Sequence, residues 1–418
     1  MAEIKEALKD LNPWWYNKFE AEFKEREIYQ KMQKFIPLRQ IIAFTGLRRV
    51  GKTTLIMKIV EDAVKGGFSQ RNILYFSFDE FREVEIREVM KTYEEMMEKN
   101  LREGNYLLLL DEIQKLNGWE DQLKAIYDAF KNIKIIISGS ESLFIKRSKE
   151  ALAGRIFEFK VEPLSFKEFL AFKGFDFKPV GLYEKELNKL FNEFTLTMGF
   201  PELVGIKDKD IIKKYIGEGI IEKIIYRDLV KLFKIKDVSV IESLLNIFME
   251  EPGQLVEISE LAKELKISRQ TLSNYLSYLE SSFLVKKLYN FSKSRRKVER
   301  KLKKYYPAII SVNLLFRDDD LSKSKVFEWL VINQLKAEYF WRDPYKNEVD
   351  AVLANGKPKP IEVKYGRIDI AGLMAFMKKF KVDEGCIISS DKEEKRRINE
   401  KTILTIPAFK FLLKFGCA

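Results

Sequence analysis

Short apolar runs alternate with stretches of helical periodicity through the first 175 residues. Ile41-Ile42-Ala43-Phe44, Asn72 to Phe78, Tyr106 to Leu110 and Ile133 to Ile137 have the length and composition of buried strands. Between them, Leu55 to Val60 continues a helix that Gly66-Gly67 ends, and Glu83 to Glu103 reads as a charged, solvated helix. Trp119, Leu123, Ile126, Tyr127 and Phe130 recur at the spacing of a helix packed on a sheet. This alternation predicts an α/β fold with a mostly parallel sheet and helices on both faces. Ahead of it, residues 1–36 carry Trp14-Trp15, too apolar to leave in water and expected to dock on the neighbouring α/β domain. Residues 171–245 are helical and mixed in charge.

Chemistry enters where the first apolar run ends. Gly46-Leu47-Arg48-Arg49-Val50-Gly51-Lys52-Thr53 fits G-x-x-x-x-G-K-[ST], with a strand before and a helix from Thr54 onward. Glycines let backbone N–H groups wrap a phosphate, and the helix N-terminus adds partial positive charge. Lys52 is placed to reach the β/γ-phosphates of a nucleoside triphosphate and the Thr53 hydroxyl to hold Mg²⁺. About 60 residues on, the third run feeds directly into Asp111 and Glu112. Acids at the C-terminal end of a buried parallel strand sit where open α/β sheets place ligands. Asp111 is the expected metal ligand, and Glu112 the group that orients and deprotonates water. The fourth run ends in Ser138-Gly139-Ser140, so Ser138 or Ser140 is the candidate sensor of the γ-phosphate.

Composition narrows the alternatives. With 418 residues, two to four domains are expected. There is no histidine and only Cys386 and Cys417, which excludes a zinc site, a disulfide framework and Ser-His or Cys-His catalysis. No apolar run approaches 18 residues, so a cytoplasmic protein without membrane partners is expected. The net charge of +12 favours an acidic partner.

That charge is concentrated. Between Lys286 and Lys304 stand ten Lys or Arg and one Glu, bracketed by Tyr289, Phe291 and Tyr305-Tyr306. Just before this run, Ile258 to Leu265, a turn at Lys266-Ile267 and a helix capped by Ser268 give a helix-turn-helix pattern. Leu272, Tyr275, Leu276 and Leu279 form its buried stripe, leaving Arg269, Gln270, Ser273 and Asn274 outside. Two strands around a basic tip then complete the outline of a winged helix. Lys293, Arg295, Arg296, Lys297 and Arg300 are the candidate DNA-phosphate contacts. A solvated loop or an acidic protein partner is the competing reading of the same charges.

The last hundred residues pose a question of register. Glu328 lies in an apolar helix, Glu348-Val349-Asp350 opens a strand, and Ile361-Glu362-Val363-Lys364 lies on the returning one. Alternate strand residues share a face, so Glu348 joins Asp350, and Glu362 joins Lys364. Two carboxylates there can hold Mg²⁺ while the lysine stabilises an attacking hydroxide. A two-residue turn at Asn355-Gly356 pairs Asp350 with Ile361 and turns Glu362 away. A three-residue connection through Lys357 pairs Asp350 with Glu362. Only the second register can make a site.

Taken together, Gly46-x4-Gly51-Lys52-Thr53, Leu110 to Gln114, Ser138-Gly139-Ser140 and Leu152-Ala153-Gly154-Arg155 resemble a family of predicted archaeal and bacterial AAA+-like ATPases. Pro163 to Leu170, Gly199-Phe200-Pro201-Glu202 and Tyr226-Arg227-Asp228 are similar to later segments of that family. The resemblance implies that Arg155 contacts the γ-phosphate, from its own chain or from a neighbour in a homo-oligomer. The Asp350, Glu362-x-Lys364 pattern resembles the core of PD-(D/E)xK nucleases, which the family's C-terminal domain is similar to. The expected organisation is a helical segment at 1–36, a P-loop ATPase core at 37–175, a helical lid or connector at 176–245, a winged helix at 246–316 and a nuclease-like α/β domain at 317–418. The leading function is Mg²⁺-dependent ATP hydrolysis coupled to DNA binding or remodelling. An ATP-gated nuclease and a nucleotide switch that binds a protein are the alternatives.

Overall fold

The four apolar runs of the N-terminal part become neighbouring strands in the computed structural model, which describes residues 2–140, 152–233, 235, 237–354 and 356–415. Cys417 and Asn355 lie outside the described residues. The chain divides into two units, Met1–Pro163 and Leu164–Ala418.

In the first unit, β1 (Ile41–Thr45), β2 (Ile73–Ser77), β3 (Tyr106–Asp111), β4 (Ile133–Gly139) and β5 (Ile156–Lys160) are ordered β2-β3-β4-β1-β5. Every pairing is parallel. The loop-bearing strand β1 is therefore interior, one in from the β5 edge, with β4 inserted between it and the acid-bearing β3. β1 and β3 are buried along their whole length, as their unbroken apolar runs require. β5 is an edge strand that the apolar pattern does not reveal, because Glu158 and Lys160 interrupt it and the strand stays partly exposed.

The opposite edge, β2, is covered by the leading segment. Trp14 and Trp15 are buried, and both indoles donate to Ile73 O, at 3.2 and 2.8 Å. Asn12 accepts from Tyr75 N (2.7 Å) through Oδ1 and donates to Tyr75 O (2.9 Å) through Nδ2. One side chain thus satisfies the donor and acceptor that an edge strand leaves open.

The second unit begins with helices, among them Phe166–Phe172, Glu184–Thr197 and Val238–Glu250. It continues with β6 (Gln254–Val256), helices Ile258–Glu264 and Arg269–Ser281, β7 (Val285–Asn290), a short helix Arg295–Arg300 and β8 (Lys303–Pro307). Helix Asp320–Leu335 leads to β9 (Tyr339–Arg342), β10 (Glu348–Leu353) and β11 (Lys359–Lys364). Helix Ala371–Phe380, β12 (Glu384–Ser389), β13 (Glu394–Ile398), β14 (Lys401–Pro407) and helix Ala408–Phe415 complete the unit.

All nine strands form one sheet, ordered β13-β14-β12-β11-β10-β9-β7-β8-β6. The boundary expected between 316 and 317 therefore falls inside a single sheet. β7 runs parallel to β9, Tyr289 opposite Tyr339 and Asn290 opposite Phe340. Asn290 Nδ2 donates to Arg342 O (3.0 Å), and Phe291 packs edge-on against Tyr339 and Phe380. A seam of this kind is set by contacts between residues about 50 positions apart, which no local pattern records. Close packing is also built in at Gly372, where a Cβ would stand 1.9 Å from Glu348 O. Only glycine lets helix Ala371–Phe380 lie that close to β10.

Candidate functional site

The phosphate-binding sequence forms a tight loop between β1 and helix Lys52–Lys65. Gly46 has φ +142° and a Cβ there would stand 2.2 Å from Val161 O, so the position is closed to any other residue. Arg49 and Gly51 also have positive φ, 63° and 97°. Leu47 and Val50 turn inward and are buried, Arg48 is half-buried, and Thr53 and Thr54 are exposed at the helix start. Lys52 is buried, with its ammonium donating to Gly46 O (3.0 Å) and Leu47 O (2.8 Å) inside the curve of the loop. Arg26 braces the loop from outside, donating to Val50 O (2.9 Å) and Glu162 O (2.7 Å). Nothing in the sequence marks Arg26.

The acid pair meets this loop. Thr53 Oγ1 donates to Asp111 Oδ2 at 2.6 Å. Tyr75 donates to the same oxygen at 2.9 Å, and Ser138 Oγ donates to Asp111 Oδ1. Burial, with the Asp111 charge, pushes the Tyr75 phenol well above its usual range, so it stays a donor. Glu112 sits in the left-handed region, φ 50°, which turns its side chain away from the strand direction. Its N–H is held by Asp111 Oδ1 (3.1 Å) and Ser138 Oγ (3.3 Å). Gln114 Nε2 donates to Glu112 Oε2 (2.6 Å) and to Ser140 Oγ (3.0 Å), and Ser140 donates to Glu112 Oε2 at 3.4 Å.

The two serines therefore sit on different acids, Ser138 on Asp111 and Ser140 on Glu112. Sequence reasoning misses Tyr75 and Gln114 because one reads as a core aromatic and the other as part of a short turn. A hydroxyl and a carboxylate converging at the helix start form an oxygen set that suits a hard divalent cation. Among the described residues no three carboxylate or cysteine ligands gather as a metal site.

Arg155 lies elsewhere. It precedes β5, at the N-terminal edge of the sheet, whereas the loop leaves the C-terminal edge of β1. Its guanidinium bonds Asp128 through two N–H groups, at 3.0 and 3.2 Å, while Glu158 accepts from Thr45 Oγ1 (2.8 Å). Contact with a phosphate in the loop of its own chain is out of reach across the length of a strand.

The C-terminal carboxylates do come together. Ala351 stands opposite Ile361, the register that sets Asp350 beside Glu362, although the paired ladder stops at Leu353 and Lys359. A bulge between Val349 and Val352 lets both valines reach the core around Phe376, leaving Glu348 and Asp350 for the other side. Asp350 Oδ2 accepts from Val363 N (2.8 Å), and Lys364 pairs with Glu362 (2.7 Å). Burial, then the Asp350 charge, pushes the Glu362 carboxyl up to about 8, against the pull of Lys364. Glu328 is likewise raised by burial and Asp350, and accepts from Tyr306 (2.7 Å). The sequence places Lys304 at the end of the basic run. In the structure it is 5 % exposed and paired with Glu348, 3.8 Å from Glu328 and 3.9 Å from Asp350.

The rest of the basic segment is divided. Lys287 pairs with Glu280 at 2.9 Å, while Lys293, Arg296 and Lys297 are exposed. Arg295 and Arg300 bound the short helix at the tip. On helix Arg269–Ser281, Arg269, Gln270 and Asn274 are exposed and Ser273 is half-buried, with Gln270 donating to Asn274 (3.0 Å).

An interior loop strand, an acid pair on the strand next but one and a loop lysine at a helix start define a P-loop ATPase-like domain of the AAA type. Residues 38–170 match the family described as AAA domain, and 188–308 and 323–409 match two domains of unknown function, DUF8612 and DUF4143. The uncharacterized protein MJ1544 of Methanocaldococcus jannaschii is 31% identical over 79% of this chain and 76% of its own length. The chain belongs to the same family. MJ1637 of that organism is 28% identical over 95% of this chain and 90% of its length, and is also uncharacterized. Among solved structures, AMPPCP-bound DnaA from Aquifex aeolicus overlaps at 16% identity and TM-score 0.30, over 60% of this chain and 85% of that one. Among the described residues no helix is long and apolar enough to cross a membrane.

Proposed function

We propose that the protein hydrolyses ATP with Mg²⁺ and couples its nucleotide state to DNA binding or remodelling. The 2.6 Å hydrogen bond between Thr53 and Asp111 carries the first part, because it joins the loop's hydroxyl to the strand-end acid across 58 residues. Bound Mg²⁺ would supply charge neutralisation on the β/γ-phosphates. Lys52 holds the same phosphates from the loop, while Thr53 and Asp111 are the oxygens for the metal. Glu112, aimed by Gln114 and Ser140, receives the proton of the attacking water. Phosphate release in wild type against Lys52→Ala tests this: unchanged release in the variant sinks the assignment.

DNA binding rests on the order helix, strand, helix, helix, strand, tip, strand between Val238 and Pro307, with exposed Lys293, Arg296 and Lys297 at the tip. This is the element order of a winged helix. If neutralising Arg295, Arg296 and Lys297 leaves DNA binding intact, a protein partner is the better reading. Arg155 acts, on this proposal, only towards a second copy of the chain, since its own loop is out of range.

The alternative of an ATP-gated nuclease using Glu328, Glu348, Asp350, Glu362 and Lys364 draws support from one observation, the register beside Ala351 and Ile361. Metal-dependent DNA cutting that is lost in Asp350→Ala would promote it.

A further inference from the structure

Glu328, Glu348 and Asp350 each lie within 4.0 Å of the Lys304 ammonium, Glu362 neighbours Asp350 across the β10–β11 pairing, and two of these four acids are deeply buried. Asp350 and Glu362 are 7 % and 6 % exposed, and Glu328 and Glu348 complete the group. Carboxylates withdrawn from water need compensating positive charge close by. A divalent metal is one source. The fold provides another.

We propose that Lys304 is the resident cation of this cluster, and that a divalent metal ion enters only by displacing its ammonium. The geometry is specific. Lys304 sits on β8, between Leu288 of β7 and Leu255 of β6, yet its side chain reaches out of that hairpin. Its Nζ pairs with Glu348 and stands 3.8 Å from Glu328 and 3.9 Å from Asp350, so one ammonium faces acids from a strand and a helix. The Phe340 ring lies beside it, its centroid 5.6 Å from Nζ. β8 cannot slide freely, because Tyr306 donates to Glu328 (2.7 Å), and Trp329 and Asn333 both donate to Pro307 O, at 2.7 and 3.0 Å.

The other charges facing the cluster are also accounted for. Arg342 pairs with Glu348 (3.2 Å) and Lys364 with Glu362 Oε1 (2.7 Å). One oxygen remains. Glu362 Oε2 is buried and has no hydrogen-bond partner among the described residues. It is a ligand atom with capacity to spare, in a cluster whose neighbouring acids Lys304 already serves. A metal bound to Asp350 and Glu362 needs oxygens at about 2.0–2.1 Å for Mg²⁺. An ammonium paired with Glu348 and 3.9 Å from Asp350 repels a cation placed between Asp350 and Glu362. Lys304 and the metal are therefore competitors for one cluster. This holds whether or not the domain cuts DNA.

The test is divalent-ion binding to the full, nucleotide-free chain, read by calorimetry with Mn²⁺ and by the shift in unfolding temperature with Mg²⁺. Lys304→Met should bind Mn²⁺ at least about tenfold more tightly than wild type, and should gain a Mg²⁺-dependent rise in unfolding temperature that wild type lacks. Adding Asp350→Asn should abolish both gains. Lys304→Met with Glu348→Gln removes one charge of each sign and keeps Asp350 and Glu362, so it should fold where the single variant does not and show the same gain. Recovery of cooperative unfolding by Mn²⁺ counts as the same result. Equal Mn²⁺ affinity in wild type and variants, lost together in Asp350→Asn, overturns the proposal. So does a variant that gains no metal binding or metal-dependent folding at all.

Discussion

Tyr75 on β2 donates its hydroxyl to Asp111 Oδ2 on the neighbouring strand, at 2.9 Å. The same Tyr75 has its backbone N–H and carbonyl clamped by Asn12. The leading segment is thereby linked to the acid that faces the loop. Tyr75→Phe should keep the fold, since the ring still packs edge-on with Trp14, and lower phosphate release by about three- to tenfold, the worth of one hydrogen bond of ~1 kcal/mol. A steady-state phosphate assay with circular dichroism as a folding control decides it.

Covering the β2 edge should cost more to undo. Trp14 is fully buried and bonded to Ile73 O. Trp14→Ala should destabilise the first unit by about 3–5 kcal/mol, as large-to-small core substitutions do. Denaturant unfolding would show it, and an unchanged midpoint would mean that the segment is not part of the core.

Glu112 and Gln114 separate binding from hydrolysis. Glu112→Gln should retain ATP binding and lose hydrolysis by about 10²-fold or more, the scale of general-base catalysis. Gln114→Ala leaves the carboxylate but removes its 2.6 Å donor, so a smaller loss with unchanged affinity is expected. Equal losses of affinity and turnover in both variants would show that the pair shapes the loop instead.

Arg26 offers a test of the loop's bracing. Removing two charged donors from Val50 O and Glu162 O should loosen the loop. Arg26→Ala should weaken ATP binding by about tenfold, in line with roughly 1.5 kcal/mol for a charge-assisted bond. Fluorescent-nucleotide titration measures this directly.

At the tip, Lys293, Arg296 and Lys297 should each neutralise a DNA phosphate. Replacing all three by Ala should weaken DNA binding at every sequence, and the log-log salt slope should become shallower by about 0.9 for each phosphate no longer neutralised. A slope that does not change would remove the tip from the interface. Lys304, by contrast, should contribute nothing to that slope, being buried among carboxylates.

The sequence by itself determined the local chemistry of the first unit. An apolar run leading into the glycine loop, with Lys52 at the start of a helical stretch, marks strand, loop and helix in that order, and burial on both faces explains why β1 and β3 were legible. The interrupted edge strand β5 was not, because a half-exposed strand with Glu158 and Lys160 carries no run. Tertiary structure decided every pairing between distant residues: Arg26 on the loop, Tyr75 and Ser138 on Asp111, and Arg155 on Asp128 at the far edge of the sheet. It also decided the meaning of charge. In the sequence Lys304 is one more cation in a basic run, since alternation along a strand does not say which face will be buried. Only the seam between β7 and β9, set by residues about 50 positions apart, turns that face onto Glu328, Glu348 and Asp350.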